Sequence, residues 1–138
     1  MSVWDVLEHF SVKEAWGEPG KINGLLLLLL ETIRTALGYP IIIHCGTQGV
    51  HTKNSQHYLG NAVDFHFDTI TPFPEQVSKL LKVLSALQVS DRVGLGVYPD
   101  WNNPGFHLDV RGYAARWGRI GSDYVSFNKV LEYLRRRG

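Results

Sequence analysis

The sequence predicts an α+β domain with a central antiparallel sheet and helices packed on one side of it. Three observations carry this prediction. Short β-branched or alternating segments, typical of strands, occur at 41–43, 62–68, 93–98 and 106–111. Longer segments with helical periodicity occur at about 22–37, 71–87 and 122–136. The two kinds of segment follow one another irregularly, and the length of 138 residues fits a single domain over 1–138.

The first helix is predicted from about Ile22 to Leu37, closed by Gly38 and blocked by Pro40. It contains six consecutive leucines, Leu25–Leu30, followed at once by charged residues. A membrane-spanning helix needs about 20 apolar residues, so this run is too short to be one. We therefore expect no membrane span, and a helix buried on most sides that packs against the sheet.

Composition excludes several classes of protein. The formal net charge is +1, which gives no indication of a nucleic-acid partner. Cys45 is the only cysteine, so neither an internal disulfide nor a cysteine-based structural zinc site is available. The first residues lack the basic and apolar regions of a signal peptide. We expect synthesis in the cytoplasm without a signal peptide, and a monomer.

Two of the predicted strands place titratable side chains on one face. In the strand at 62–68, alternation puts Asp64 and His66 on the polar face. In the strand at 106–111, the polar face carries His107, Asp109 and Arg111. Such polar stripes are costly to bury unless they are paired or bind a metal. Two imidazoles and one carboxylate suit a zinc ion and leave one coordination position open for water.

The segment Ser55–Asp64, SQHYLGNAVD, resembles the S-x-H-x-x-G-x-A-x-D signature of the D-alanyl-D-alanine carboxypeptidase and L-alanyl-D-glutamate peptidase family, zinc enzymes that include many phage endolysins. FHLDVRG at 106–112 resembles the second family motif. The resemblance implies that one zinc ion is held by His57, Asp64 and His107. It also implies that Ser55 helps to orient the site or the substrate.

The chain departs from the family pattern at two positions. Gln48 stands roughly where the family has a substrate-binding Arg, and Pro104 stands where many members have a Glu or Asp general base. Asp109 is our preferred general base, because Pro104 removes its rival; the alternative is that it orients a ligand imidazole. Asp100 is the reserve candidate. Gln48 or Arg111 would bind the substrate or the oxyanion, although Arg111 is equally compatible with a salt bridge.

The resulting expectation is a zinc peptidase that cleaves peptidoglycan stem peptides, as an L-Ala–D-Glu endopeptidase, a D,D-carboxypeptidase or a D,D-dipeptidase. It would act on the cell wall after release or export by another factor. The alternative is a non-catalytic zinc-containing binding module like the hedgehog signalling domain, which resembles this family. A domain without metal is a third reading. His44 and His51 are expected at the border of the cleft, and Tyr98 and Trp101 either line it or pack in the core.

Overall fold

Three helices cover one face of a six-stranded sheet in the computed structural model, which describes residues 2–137. Met1 and Gly138, the ends of the predicted domain range, lie outside the described residues. The helices and strands have the following bounds: α1 Gly24–Leu37, β1 Ile41–Cys45, β2 Ala62–Phe67, α2 Phe73–Ala86, β3 Gly94–Tyr98, β4 Gly105–Asp109, β5 Ala115–Ile120, β6 Asp123–Ser126 and α3 Phe127–Arg137.

The strand order across the sheet is β1-β2-β4-β3-β5-β6. Every neighbouring pair is antiparallel except β3 and β5, which run parallel. The predicted α+β class is confirmed, and the sheet adds one parallel pair to the antiparallel arrangement. The parallel pair places the C-terminal part of the chain, from β5 onward, beside the strands that carry the titratable residues.

Helix α1 is amphipathic despite its run of six leucines. The Asn23 side chain caps its start by accepting the Leu25 N–H at 2.8 Å, and Gly38 ends it with φ of +75°. Leu26, Leu27, Leu30 and Ile33 are buried in the same core as the apolar side chains of β2 and β4. The prediction that this helix packs on the sheet is confirmed, but the expectation that it is buried on most sides is wrong, because Leu25 and Leu28 are exposed. Within residues 2–137, no helix combines the length and apolar character needed to cross a membrane.

Strands β5 and β6 are a correction to the sequence-based prediction. We predicted no strand at 115–120, and a helix from about Ser122, whereas α3 begins only at Phe127. Gly121, with φ of +59°, forms a tight turn that lets Ile120 pair with Asp123. The side-chain pattern of β5 mixes arginines with one aromatic residue and a glycine, so it lacks the alternation that identifies a half-buried strand.

Alternation along β2 and β4 separates the core from a polar face. Val63, Phe65, Phe106 and Leu108 are fully buried among the helices. The residues between them therefore project from the opposite side of the sheet. The helices thus cover one face of the sheet, and the other face carries the polar side chains of β2 and β4.

Candidate metal centre

Three side chains converge on the polar face at the centre of the sheet. Asp64 on β2 is directly opposite His107 on β4, and His57 lies in the turn before β2. The Asp64 Oδ1 atom is 3.3 Å from His57 Nε2 and 3.2 Å from His107 Nδ1. The two ring nitrogens are 3.2 Å apart. The three predicted ligands are therefore brought together, and the cluster could bind a metal ion.

The second nitrogen of each imidazole fixes the orientation of its ring. The His57 Nδ1–H donates to the Gly46 carbonyl at 2.8 Å, because a carbonyl oxygen can only accept. The His107 Nε2 atom lies 2.6 Å from a carboxylate oxygen of Asp109 and donates to it. The remaining nitrogen of each ring faces Asp64, where it donates a hydrogen bond when protonated and offers a lone pair to a metal ion when neutral. This pattern, in which an outer partner holds a ligand imidazole, is typical of metal sites.

The charges within the cluster favour binding of a cation. Burial disfavours the charged form of Asp64, but hydrogen bonds from His107 and His57 outweigh it and lower the pKa of Asp64 to about 2. Burial likewise opposes protonation of His57, yet its contact with Asp64 raises the pKa of His57 to about 9. Asp64 thus remains anionic and holds positive charge beside it, supplied either by protons on the imidazoles or by a metal ion.

The cluster forms the floor of a cleft of about 700 Å³. His57 and His107 are 3% and 7% exposed, whereas the Asp64 side chain is 19% exposed and reaches the cleft. Three protein ligands at the base of an open cleft leave room for a fourth ligand from solvent or substrate. A structural site, in contrast, is closed by four protein ligands.

Asp109 lies behind His107 and does not reach the cleft. It is 0% exposed, and its two oxygens accept hydrogen bonds from His107, from the Gly94 and Arg111 backbone N–H groups and from the Arg111 guanidinium. Burial disfavours its charged form, but Arg111 and His107 together lower the pKa of Asp109 well below its usual range. The geometry therefore favours the orienting role over the general-base role that we preferred from the motif.

Two glycines on β3 make room for these side chains. A Cβ atom at Gly94 would collide with the Asp109 carboxylate and lie 2.6 Å from Arg111 Nε. A Cβ atom at Gly96 would lie 2.6 Å from the indole nitrogen of Trp117. Since Gly96 pairs with both His107 and Trp117, the indole reaches over the glycine and contacts His107, with ring centroids 5.0 Å apart.

The substitution Gly96→Ala is expected to displace the Trp117 indole, because Trp117 and Tyr98 would both lie within 2.8 Å of the new methyl group. Overpacking of this kind lowers the free energy of unfolding by about 1–3 kcal/mol. Denaturant unfolding measures the loss, and the near-ultraviolet circular dichroism of Trp117 reports the displacement. Gly20→Ala is the matched control, since nothing lies within 4 Å of a Cβ atom there. Equal stability of the two variants would contradict this account of Gly96.

The structure places two of the three predicted substrate-binding residues in the cleft and the third outside it. Ser55 lines the cleft, and its hydroxyl accepts the His57 N–H at 3.2 Å. Arg111 also lines the cleft but forms a two-pronged ion pair with Asp109, through Nε at 2.8 Å and a terminal nitrogen at 2.7 Å. The structure does not bring Gln48 to the cleft. Its amide bridges the Ala15 carbonyl and the Gly46 N–H, both at 2.8 Å.

The turn that carries His57 depends on Gly60. Gly60 has φ of +75°, and a Cβ atom there would collide with the Lys21 carbonyl. Its own carbonyl accepts the Asn23 N–H at 2.8 Å, which ties the turn to the start of α1. The close approach of Gly60 to the Lys21 carbonyl therefore explains why the motif has glycine at this position, since any side chain would collide there.

Histidine and aromatic side chains form the walls of the cleft. His51, expected at the border of the cleft, lines it and stacks on His57 with ring centroids 4.0 Å apart. His44, expected there too, lies on β1 against His66 and is not among the lining residues. Tyr98 and Trp101 stack on each other at 4.4 Å and line the cleft, as one of the two predicted alternatives had them. Four further lining residues, which sequence reasoning missed, come from β5, β6 and the loop before β5: Tyr113, Trp117, Arg119 and Tyr124.

A second group with metal-binding side chains, Cys45, His51 and His57, lies beside the first. It shares His57, whose Nδ1 is already bonded to Gly46. Cys45 and His51 are also satisfied, because Cys45 Sγ lies 2.9 Å and His51 Nε2 lies 2.8 Å from the Gln48 carbonyl oxygen. These contacts account for the group without an ion.

Comparison of the chain with protein-family models, with curated proteins and with solved structures finds no match.

Proposed function

We propose that the protein is a zinc-dependent peptidase that cleaves peptidoglycan stem peptides. One observation carries the proposal: two imidazole nitrogens and one carboxylate oxygen form a triangle with sides of 3.2–3.3 Å at the floor of an open cleft. The substrate class comes from the resemblance of the segments 55–64 and 106–112 to the two peptidase motifs.

The dimensions of the triangle support zinc as the metal. Zinc bonds to imidazole nitrogen and carboxylate oxygen are about 2.0–2.2 Å long, so tetrahedral ligands lie roughly 3.3–3.5 Å from one another. The separations between His57, Asp64 and His107 are close to these values without movement of any side chain. Mixed nitrogen and oxygen ligands also suit zinc better than calcium or magnesium, which prefer oxygen.

In this proposal, different residues bind the metal, orient its ligands and position the peptide. His57, Asp64 and His107 would hold the zinc ion, which would supply a Lewis acid able to lower the pKa of a bound water and to polarise the scissile carbonyl. Asp109, charged and paired with Arg111, holds the His107 ring in place. Gly46 does the same for His57 through its carbonyl. The aromatic walls, with Trp117 nearest to His107, restrict water and position the peptide.

One observation favours the non-catalytic alternative, a zinc-containing binding module. Among residues 2–137, Asp64 is the only carboxylate that lines the cleft, and it belongs to the metal cluster. Asp100, the reserve general base, accepts hydrogen bonds from the Gly121 N–H, Tyr133 and Arg137 and does not line this cleft. Proton transfer in a peptidase would then depend on water or on an imidazole such as His51, which lines the cleft.

The experiment that separates the two functions is incubation of the zinc-loaded protein with purified muropeptides, followed by mass spectrometry. We expect peptide products whose masses identify the bond cleaved, and we expect a chelator to stop their formation. His57→Ala should be inactive, while His9→Ala, which changes a histidine paired with Glu31 far from the cleft, should be fully active. Tight zinc binding without any product would instead favour the binding module.

A further inference from the structure

Two arginines line the cleft among residues 2–137, and Arg119 is the one that does not pair with Asp109. It lies on β5, two residues beyond Trp117, and therefore projects from the same face of the sheet. Its guanidinium lies over the Tyr124 ring, 5.0 Å from the centroid. It lines both the main cleft and an adjoining pocket of about 150 Å³, which also contains Tyr98 and Trp101.

The guanidinium of Arg119 has no anionic partner among residues 2–137. Its Nε atom is buried and has no hydrogen-bond acceptor, and no carboxylate oxygen lies within 4.0 Å of its side-chain nitrogens. The other arginine in the main cleft, Arg111, is neutralised by Asp109 at 2.7 Å. The buried Nε is out of reach of a ligand, so an anion bound in the cleft would meet the terminal nitrogens of the guanidinium, whose charge has no carboxylate partner among the described residues.

The carboxylates near Arg119, Asp64 and Asp100, interact with other groups. Asp64 belongs to the metal cluster and forms no ion pair with Arg119. Asp100 shares the small pocket with Arg119, but its oxygens accept hydrogen bonds from the Gly121 N–H, Tyr133 and Arg137. The cleft thus contains one unneutralised guanidinium fork beside an aromatic wall, and a carboxylate matches that fork with two parallel hydrogen bonds.

We propose that Arg119 binds a carboxylate of the peptide substrate and so restricts the protein to acidic peptides. This inference rests on the proposed peptidase function, whose substrate class it makes more specific. The position suits it, because Trp117 contacts His107 and Arg119 lies about 7 Å further along β5. Because β5 lies two strand spacings from β4, or about 10 Å, Arg119 is roughly 12 Å from His107 along the sheet. That distance corresponds to about three to four residues of extended peptide between the metal ligands and the carboxylate.

Stem pentapeptides with lysine at the third position offer two carboxylates, one on D-Glu and one on the terminal D-Ala, and matched substrates of this type distinguish them. A stem pentapeptide with both groups free is compared with one amidated at D-Glu and one amidated at the C-terminus. For the wild-type protein we expect amidation of one group to lower kcat/KM about 10–100-fold, mostly through KM, since hydrogen bonds to charged groups are worth about that factor. Equal hydrolysis of all three peptides would overturn the proposal.

Variants of Arg119 test whether this residue causes the preference for the free carboxylate over the amide. Arg119→Gln should hydrolyse the unmodified peptide about 10–100-fold less efficiently and should no longer distinguish acid from amide. Arg136→Gln is the matched control, because Arg136 is 79% exposed on α3 and pairs only with Glu132. It should behave as the wild-type protein does. Discrimination that persists in Arg119→Gln would assign the carboxylate to another residue and overturn the proposal.

A binding measurement keeps this inference separate from the peptidase proposal. The zinc-loaded protein is titrated with the unmodified and the doubly amidated pentapeptide, while NMR follows the Nε–H signal of Arg119. We expect the unmodified peptide to shift this signal and to bind at least about tenfold more tightly than the amidated one. If the unmodified peptide binds preferentially and shifts the signal but is not hydrolysed, the carboxylate site at Arg119 is supported and the peptidase function is contradicted. Equal binding of both peptides, or no shift of the Arg119 signal, would overturn the inference.

Discussion

Zinc is expected to raise the melting temperature of the wild-type protein by about 10 °C, and to leave that of Asp64→Ala almost unchanged. A ligand present at 1,000 times its dissociation constant stabilises the folded state by about 4 kcal/mol. For a domain of this size each kcal/mol shifts the melting temperature by about 2–4 °C. Asp64 supplies the only negative charge among the three ligands, so its removal should abolish most of the affinity.

The matched control for this experiment is Asp68→Ala. Asp68 follows β2 by one residue, is exposed and does not belong to the metal cluster, yet the chemical change is identical. Its melting temperature should respond to zinc as the wild-type does. Differential scanning calorimetry with and without chelator gives the shift, and elemental analysis should find one zinc per wild-type chain. A zinc response that is equal in both variants would exclude Asp64 as a ligand.

The stabilisation of the folded protein by zinc is expected to depend on pH. Contact with Asp64 raises the pKa of His57 to about 9, against the effect of burial, which lowers it. The unfolded pKa is about 6.5, so in chelator this group contributes stability that is complete below pH 6.5 and lost as the pH rises through 9. Zinc requires the neutral imidazole, so the stabilisation by zinc should grow over that window. A zinc effect that is constant from pH 6 to 9 would contradict this protonation scheme.

The sequence was sufficient for the core elements and for the cluster of His57, Asp64 and His107, because local patterns and one motif resemblance carry both. Alternation along 62–68 and 106–111 correctly placed Asp64 and His107 on one face, and the periodicity of 22–37 correctly placed α1. The motif match rested on the whole segment Ser55–Asp64, since the spacing from His57 to Asp64 alone is weak evidence. None of these inferences needed to know which strands are neighbours.

What the sequence did not predict depends on long-range register. Strand β5 pairs in parallel with β3, and this pairing alone places Trp117 opposite Gly96 and brings Arg119 into the cleft. Such pairings leave no local signature. Asp109 illustrates the same limit, because alternation put it on the face of His107 without revealing that it lies behind the imidazole. Only the packing against Gly94 shows that no space remains there for a water molecule.

Asp109→Asn is expected to weaken zinc binding about 10–100-fold, with hydrolysis restored when zinc is added in excess. Loss of an outer partner of a ligand imidazole has effects of this size on metal affinity. In the structure Asp109 accepts the His107 Nε2–H at 2.6 Å and is fully buried, so an amide there would hold the ring less firmly. The variant should also be less stable by about 3 kcal/mol, since Arg111 loses the anion that pairs with it.

Asp100→Asn is the control for this substitution, with the same chemical change in an ion pair that is mostly exposed. It should lose at most about 1 kcal/mol of stability and retain zinc affinity. The two roles of Asp109 then give opposite patterns. A general base would leave zinc bound in Asp109→Asn while kcat falls about 10²–10⁴-fold, and added zinc would restore nothing. Full activity in Asp109→Asn together with an inactive Asp100→Asn would instead assign proton transfer to Asp100, which would then have to leave its contacts with Tyr133 and Arg137.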